Sequence, residues 1–390
     1  MGNVMLDRPR AVFGEDHDLF RQSVRRFVEA ELAPHQLAWE DAGIVPREVW
    51  RAAGGAGLLC CDVPAEWGGP GGDFGHNAVV VEELARAGLS GPGFVIHSDM
   101  VATYLMRFGN EAQRRRWLPG MCDGSSIAAI AMTEPDAGSD LQGMRTTALR
   151  DGDHYVLSGA KTFISNGQNC DIAIIAAKTD PKARGHGISL LVVEADLPGF
   201  RRGRNLRKIG NRAQDTSELF FDEVRVPVAS RLGDEGQGFA MLMTNLARER
   251  LVQAIRAATT VETAIGWTVS QACDRRMFGK RLADFQNTRF VLAEVAAKAV
   301  AARSMVDRFI ALQLEGRLDP VEAAMAKLFC TDLQCEALDR CLQMFGGSGY
   351  MQETPIARAW TDARVSRIAG GAAEVMKEII GRRLFEGGGT

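Results

Sequence analysis

Ile172-Ala-Ile-Ile-Ala-Ala-Lys178 sets the fold class for the middle of this 390-residue chain. It is a short run with β-branched residues between turn signals, which is typical of a buried strand. No helical pattern separates it from its neighbours to make βαβ units. Comparable runs lie on both sides of it, with Asp-Gly, Ser-Gly, Asn-Gly and Pro turns between them: Ser126–Thr133, Met144–Arg150, Tyr155–Ser158, Ile188–Glu194 and Glu218–Val226. The pattern predicts a middle domain of antiparallel β structure over residues 126–236.

Helical periodicity dominates on both sides of this segment. Before it, apolar residues three and four apart predict helices over Glu15–Leu32, Val45–Leu59, Asn77–Ala87 and Glu111–Trp117. After it, four long helical stretches with short joints predict a bundle: 239–272, 285–315, 320–344 and 356–384. We therefore expect an α+β multidomain protein with an N-terminal all-α domain (1–125), a middle β domain (126–236) and a C-terminal four-helix bundle (237–390).

Composition excludes several functional classes. Lys plus Arg is 46 and Asp plus Glu is 49, a net charge of −3, which argues against a nucleic-acid partner. No apolar run approaches the ~18 residues of a membrane span. Met1–Arg10 carries no targeting segment, so a cytoplasmic location is expected. The eight Cys form no C-x-x-C pair, and none of the six His lies beyond His186, so no metal site is predicted.

Ala131-Met-Thr-Glu-Pro-Asp-Ala-Gly-Ser-Asp140 is the strongest local signal for a ligand. It follows a predicted strand, and turn N–H groups with the hydroxyls of Thr133 and Ser139 could hold a polar planar ligand. The same residues could equally form a stable turn. Both interpretations stay open on the residues alone.

Two further segments offer ligand chemistry. In Lys161-Thr-Phe-Ile-Ser-Asn-Gly167, strand alternation puts Phe163 and Ser165 on one face, which suits a flavin or nucleobase but also a half-buried strand. Arg275-Arg-Met-Phe-Gly-Lys280, with Gln286 beyond it, could bind a phosphate or an acidic partner, or be a solvated face.

Glu249 is the candidate for acid–base chemistry. Steps of three and four join it to Leu242, Leu246 and Val252, so a carboxylate interrupts the apolar stripe of a long helix. Burial raises the pKa of such a group towards neutrality, as a general base requires. The alternative is a surface salt bridge with Arg250, which could also bind an anionic ligand.

Four motifs in this order, AMTEPDAGSD, KTFISNG, RRMFGK and QMFGGSGY, resemble the acyl-CoA dehydrogenase family. The resemblance runs from about Phe13 to Arg383 and is greatest to the long-chain acyl-CoA dehydrogenases. It implies FAD between the β domain and the bundle, an acyl-CoA thioester substrate, an electron-transfer flavoprotein as acceptor, and a homotetramer built as a dimer of dimers.

The resemblance also implies site residues, residue by residue. Ile130, Ala131, Met132, Thr133 and Ser139 would line the flavin and the thioester, and Phe163, Ile164 and Ser165 would pack on the isoalloxazine. A neighbouring subunit would hold the pyrophosphate and adenosine with Arg275, Phe278, Gln286, Gln343, Gly346 and Gly347. Further positions match cofactor contacts (Ala372, Glu374) and substrate contacts (Ser139, Phe239, Arg250, Gly370, Gly371).

The catalytic base needs separate treatment. Many family members carry it in a C-terminal Tyr-Glu-Gly-Thr motif, where this chain has Ala369-Gly370-Gly371-Ala372. Long-chain and isovaleryl-type members carry it in a Glu-Arg-Leu motif on the first bundle helix, and here Glu249-Arg250-Leu251 matches.

The resemblance thus implies that Glu249 removes the α-proton while a hydride leaves the β-carbon for flavin N5, giving a trans-2-enoyl-CoA. The Gly370 N–H and a flavin ribityl hydroxyl would bind the thioester carbonyl. The acyl group would be long-chain or branched. The alternatives are a non-catalytic acyl-CoA/FAD-binding subunit of a heteromer and an acyl-CoA oxidase on the same fold.

Overall fold

The structure, a computed structural model, describes residues 10–386. Nearly all of Met1–Arg10, on which the prediction about targeting rests, and the Gly-rich tail at 387–389 lie outside the described residues. No helix in the described range is long and apolar enough to cross a membrane.

The N-terminal region is helical, as predicted. Its α-helices are α1 (Glu15–Phe27), α2 (Gln36–Ala42), α3 (Arg47–Gly55), α4 (Phe74–Arg86), α5 (Ala102–Phe108) and α6 (Glu111–Cys122). A π-helical turn over Val28–Leu32 continues α1, and another over Ile96–Val101 leads into α5. The sequence pattern missed this second helical segment, and α6 runs five residues beyond the predicted Trp117.

The middle region is one mixed sheet. Its strands are β1 (Ala128–Ala131), β2 (Thr147–Asp151), β3 (His154–Ser165), β4 (Ile172–Lys178), β5 (Ile188–Glu194), β6 (Phe200–Asn205), β7 (Thr216–Pro227) and β8 (Arg231–Leu232). The order is β6-β7-β3-β2-β4-β5-β8, with β1 beside β4.

The prediction of purely antiparallel structure is wrong at β1 and β2. β1 pairs with β4 in parallel over four residues, and Thr147 of β2 pairs in parallel with Lys178. Parallel neighbours require a long connection between them. The β2–β3 hairpin lies between β1 and β4 in the chain, and it supplies that length.

The C-terminal region contains the long helices α7 (Gly238–Asp274), α8 (Gln286–Leu314) and α9 (Pro320–Gln343). A hairpin of β9 (Arg276–Met277) and β10 (Lys280–Arg281) separates α7 from α8. The fourth predicted long helix, 356–384, is wrong. It is divided into α10 (Pro355–Ala363) and α11 (Ala373–Phe385). A 3-10 turn over Arg364–Arg367 follows α10, and Gly370 and Gly371 then adopt φ values of +65° and +97° that a helix does not allow.

A buried ionic cluster joins the two helical regions. Glu82 on α4 is fully buried, and its carboxylate pairs with Arg10 at 2.6 Å, Arg21 at 2.7 Å and Arg303 of α8 at 2.8 Å. Burial opposes ionisation, but the three guanidinium groups outweigh it and lower the pKa of Glu82 to about 2. The N-terminal helices are therefore fixed to the bundle by a charged contact as well as by apolar packing. The domain boundaries at 125/126 and 236/237 stay a prediction.

Candidate active site

Glu249 lies buried in the first third of α7, with 1% of its surface exposed. The Tyr104 hydroxyl of α5 donates to its Oε1 at 3.3 Å, and the Asn245 amide, one turn earlier on α7, donates to the same oxygen at 3.4 Å. Both bonds end on Oε1, which leaves Oε2 as the oxygen that can face a substrate. The structure thus excludes the surface salt bridge that was the alternative for this residue.

The protonation behaviour of Glu249 follows from this environment. Burial raises its pKa to about 7, and Asn245, Tyr104 and Arg250 only partly oppose the shift. Both hydrogen-bond donors are neutral, so no full positive charge holds the carboxylate ionised through a direct contact. A carboxyl group with such a pKa can accept a proton from a carbon acid near neutral pH.

Arg248, the preceding residue, holds α7 in place. Its guanidinium donates to Asp99 at 2.9 Å and pairs with Asp62, and it lies over the Phe74 ring at 4.9 Å. These contacts lock the rotation of α7 against the N-terminal helices, so Glu249 points towards Tyr104. The sequence gives no sign of this cluster, because its members are scattered along the chain and carry no motif.

The break between α10 and α11 lies against the same stretch of α7. A Cβ atom on Gly370 would lie 1.9 Å from Nε2 of Gln253, which is one helical turn beyond Glu249. Lys327 of α9, fully buried, donates to the Gly371 carbonyl at 2.6 Å and so fixes the turn. Among the described residues, the N–H groups of Gly370 and Gly371 make no hydrogen bond to another backbone carbonyl. Two backbone donors therefore lie in the turn that packs against Gln253 of α7.

We expect Gly370→Ala to lower kcat/KM at least about tenfold, because the new methyl must displace Gln253 and shift the Gly370 N–H from the position in which it would bind the thioester carbonyl. The matched control is Gly316→Ala. Gly316 has φ +68°, close to the +65° of Gly370, but nothing lies within 4 Å of its added Cβ. Steady-state kinetics compare the two variants, and equal losses in both would contradict the prediction. Adding Gln253→Ala to Gly370→Ala should restore part of the activity.

Arg250 is a buried cation with no carboxylate partner in the described part of the chain. It is 5% exposed, its Nε lacks a hydrogen-bond partner, and burial lowers its pKa. Lys327 is close enough that burial, followed by the charge of Arg250, lowers the pKa of Lys327 to about 8. Two neighbouring cations of this kind favour an anionic or strongly polar ligand.

The motif after β1 is braced by an ion pair. Glu134 accepts hydrogen bonds from the buried Lys161 ammonium at 2.8 Å and from the backbone N–H groups of Arg145 and Thr146 at 2.6 and 3.0 Å. Lys161 also donates to the Met132 carbonyl at 2.9 Å. Sequence patterns mark both segments but do not show that they are in contact. Within the motif, Ile130 and Ala131 are buried, Met132 and Thr133 are half-buried, and Ser139 is exposed.

Phe163 lies next to this motif. The Thr162 N–H donates to the Thr133 carbonyl at 2.9 Å, which joins β3 to the segment after β1. Phe163 is 67% exposed and has φ +60°, while Ile164 is 2% exposed and Ser165 is half-buried. The register of β3 against β7 shifts between Lys161 and Ile164, so a bulge, rather than regular alternation, turns Phe163 outwards. Ile164 packs in the core, so its side chain does not face a ligand.

An exposed aromatic ring with a strained backbone, beside a half-buried hydroxyl, fits a flat cofactor such as the isoalloxazine of FAD. The remaining predicted cofactor residues are surface features of the bundle. Phe278 forms the tip of the β9–β10 hairpin with φ +49° and is 87% exposed. The others on exposed surface are Arg275, Gln286, Gln343, Gly346, Gly347 and Glu374, while Ala372 is half-buried. Phe239, a predicted substrate contact, is also half-buried.

Fold and site together define the class of the three-domain acyl-CoA dehydrogenases. Family models described as the acyl-CoA dehydrogenase N-terminal, middle and C-terminal domains match residues 14–125, 129–224 and 236–385. The chain belongs to the acyl-CoA dehydrogenase family. It is accordingly an oxidoreductase of acyl-CoA thioesters that uses FAD, and the fold and family predictions are confirmed.

Individual relatives agree with this family assignment. The chain is 46% identical over 377 residues to the mitochondrial long-chain specific acyl-CoA dehydrogenase of Sus scrofa, covering 96% of this chain and 88% of that protein. It superposes with a TM-score of 0.95 and 45% identity on an acyl-CoA dehydrogenase from Geobacillus kaustophilus, covering 96% and 100% of the two chains. A glutaryl-CoA dehydrogenase from Mycobacterium smegmatis in complex with FADH2 matches with a TM-score of 0.90 at 27% identity, covering 96% of each chain.

Proposed function

We propose that Glu249 is the base that removes the α-proton of a saturated acyl-CoA, and that the product is a trans-2-enoyl-CoA. The observation that carries the proposal is the burial of Glu249, with its pKa raised to about 7, between Tyr104 and Asn245. The C-terminal turn offers no competing carboxylate, because residues 369–372 are Ala-Gly-Gly-Ala. The test is the Glu249→Gln variant, which should bind the substrate without bleaching the flavin.

Different groups of the chain would act on different parts of the substrate. The Gly370 N–H would bind the thioester carbonyl and so acidify the α-carbon, which Oε2 of Glu249 then deprotonates. Arg250 would bind a polar part of the CoA moiety. FAD, when bound, supplies the oxidant that takes the hydride from the β-carbon. Thr133, Phe163 and Ser165 are the residues that would hold it within one chain.

We propose a long-chain or branched acyl group as the substrate. Support comes from the small Ala369, which stands where the family motif has Tyr and would leave more space near the thioester, and from the similarity to the long-chain enzyme of Sus scrofa. Turnover with butyryl-, octanoyl-, palmitoyl- and isovaleryl-CoA and a dye acceptor tests the length. A kcat/KM highest for butyryl-CoA would contradict the proposal.

We propose a homotetramer, a dimer of dimers, whose neighbouring subunits complete the FAD site. The most exposed large apolar side chains lie mainly in the C-terminal region: Phe278 at 87%, Tyr350 at 85%, Phe385 at 82%, Ile209 at 77% and Leu384 at 72%. Apolar surface of this extent commonly marks a protein–protein contact.

Phe278→Asp is expected to lower the FAD content per chain and to shift sedimentation towards smaller species, because it places a charge at the tip of the hairpin. Leu149→Asp is the control, since Leu149 on β2 is 49% exposed and is not part of the proposed contact. Absorbance at the flavin band and sedimentation velocity measure the two effects. A Phe278→Asp protein with full FAD and unchanged sedimentation would refute the shared site.

An electron-transfer flavoprotein, implied by the family resemblance, completes the proposed reaction as electron acceptor. A cytoplasmic location is also proposed. Its support is that all eight cysteines are free, and six of them are buried, which suits a reducing compartment.

A further inference from the structure

A second cluster of chemically active side chains lies outside the active site, at the first turns of α1 and α4. It consists of Asp16 and His17 on α1, His76 on α4, and Asp73, the residue that precedes α4. One ligand atom from each of Asp16, His17 and His76 lies within 4.8 Å of the other two. Within residues 10–386, no other set of His, Cys, Asp and Glu meets this condition.

Asp73 holds both imidazole rings from behind. Its Oδ1 lies 2.8 Å from Nε2 of His17 and 3.0 Å from Nδ1 of His76. In the tautomers in which both nitrogens donate N–H to the carboxylate, the lone pairs lie on the opposite nitrogens, Nδ1 of His17 and Nε2 of His76. A carboxylate that orients an imidazole through its far nitrogen is the usual outer partner of a metal-binding histidine.

The two nitrogens that carry lone pairs face Asp16. Nδ1 of His17 lies 3.4 Å from Oδ1 of Asp16, and Nε2 of His76 lies 3.9 Å from Oδ2. Ligand atoms on a zinc tetrahedron with bonds of ~2.0–2.1 Å are about 3.4 Å apart. The Asp16 side chain is 70% exposed, so it can move the short remaining distance without disturbing the fold.

The rings themselves are fixed. Their centroids are 4.4 Å apart, and Phe13 and Phe20 pack on them from either side at 5.6 and 5.2 Å. The backbone of α4 passes so close that a Cβ on Gly75 would lie 2.4 Å from Nε2 of His17. The imidazoles are therefore prearranged by packing, as a metal site requires.

Helix capping explains only part of this arrangement. Gly14 N–H donates to Nδ1 of His17 at 3.1 Å, and in the other tautomer of His76 the Asp73 N–H donates to Nδ1 of that ring at 3.2 Å. A metal on Nδ1 of His17 would replace the first bond, and a metal on Nε2 of His76 would select the tautomer that does not form the second. Capping does not account for two rings from separate helices that share one carboxylate and face another. A cavity of about 490 Å³ beside Asp16, Asp73 and His76 leaves room for a water ligand.

We propose that Asp16, His17 and His76 bind a divalent transition-metal ion, with zinc as the best fit, that water completes the coordination, and that Asp73 orients both imidazoles. Two imidazoles and one carboxylate with an open position form a donor set that zinc accepts. The ion would tie α1 to α4 and would take no part in proton removal, since none of its ligands belongs to the active site. Sequence spacing could not show this site, because His17 and Asp73 lie 56 residues apart.

The test is a zinc titration of the FAD-loaded protein, after treatment with a chelator, by calorimetry. We expect one ion per chain. Asp16→Asn should weaken binding about tenfold or more, and His76→Gln should abolish it. His154→Gln is the matched control, because His154 makes a comparable contact to Asp153 at 2.6 Å on β3 but has no second imidazole beside it. That variant should bind zinc as the parent does.

A second measurement separates loss of the ligand from loss of the fold. Co²⁺ in place of Zn²⁺ should give the intense visible absorption of a tetrahedral site in the parent and in His154→Gln, but not in Asp16→Asn. All variants should keep the dehydrogenase activity of the parent without added metal. Failure to bind one ion per chain, or equal affinity in Asp16→Asn and the parent, would overturn the proposal.

Discussion

Replacing Glu249 by Gln is expected to lower kcat about 10³- to 10⁴-fold, because the variant keeps the size and polarity of the side chain but cannot accept a proton. The CoA moiety should still bind, since Arg250 and the Gly370 turn are unchanged. In anaerobic mixing, the substrate should perturb the flavin spectrum of the variant without bleaching it. Bleaching at the parent rate would show that another group is the base.

The pH dependence of the parent enzyme gives an independent check. Because burial raises the pKa of Glu249 to about 7, kcat/KM should fall as the pH drops through 7 and the carboxylate becomes protonated. Tyr104 donates to this carboxylate and lowers its pKa, so Tyr104→Phe should move the fall to higher pH. If kcat/KM of Tyr104→Phe fell at the same pH as that of the parent, the fall would report the protonation of a group other than Glu249.

The raised pKa of Glu249 also determines how the stability of the protein changes with pH. A carboxyl group whose pKa is raised on folding stabilises the protein while it is protonated, below the unfolded value of 4.5, and this contribution is lost as the pH rises through 7. At pH 8, Glu249→Gln should therefore unfold at a temperature no lower than the parent. A lower unfolding temperature would indicate that the variant disturbs α7, and its kinetics would then need a second variant.

Replacing Glu82 by Gln is expected to lower the free energy of unfolding by about 3 kcal/mol, the lower end of the cost of breaking a buried ion pair. The lower end applies because each arginine keeps another acidic partner: Asp307 for Arg10, Glu83 for Arg21 and Glu262 for Arg303. Denaturant unfolding at neutral pH measures the change. Because the pKa of Glu82 is lowered to about 2, the difference should persist above pH 4.5 and shrink as the pH falls towards 2.

The control for this variant is Glu336→Gln. Glu336 pairs with Lys298 at 2.7 Å, but both side chains are nearly half exposed, so the loss should not exceed about 1 kcal/mol. Similar losses for the two variants would show that the Glu82 cluster contributes no more than a surface pair does.

Glu249 was predictable because all the residues whose spacing indicates it lie on one helix. Spacing along α7 alone placed Glu249 on an apolar face. Its partner Tyr104 was not predictable, because it lies 145 residues away on a segment that enters through a π-helical turn and lacks a regular 3.6-residue pattern. The buried position of Arg248 was not predictable either, since a charged residue beside an apolar stripe is normally expected to face solvent.

The errors in the fold have local causes. Apolar residues recur on both sides of Gly370 at helical spacing, so the periodicity predicted one continuous fourth helix. The turn that interrupts it is visible only in the backbone angles. Strand direction at β1 depends on a partner more than 40 residues later, which a run of four apolar residues does not specify. Strand alternation predicted that Phe163 faces outwards. The structure has this orientation, but a bulge causes it and not regular alternation.

The ionic contact of Glu82 with Arg303 also bears on how the chain is made. The two residues are 221 positions apart, so at a ribosomal rate of ~5–20 residues per second about 11 to 44 seconds separate their synthesis. During that interval Glu82 has only Arg10 and Arg21 as partners, and the nascent amino-terminal helices expose the surface that α7 will later cover. Chaperone protection of the growing polypeptide should therefore be needed until translation has passed the second bundle helix.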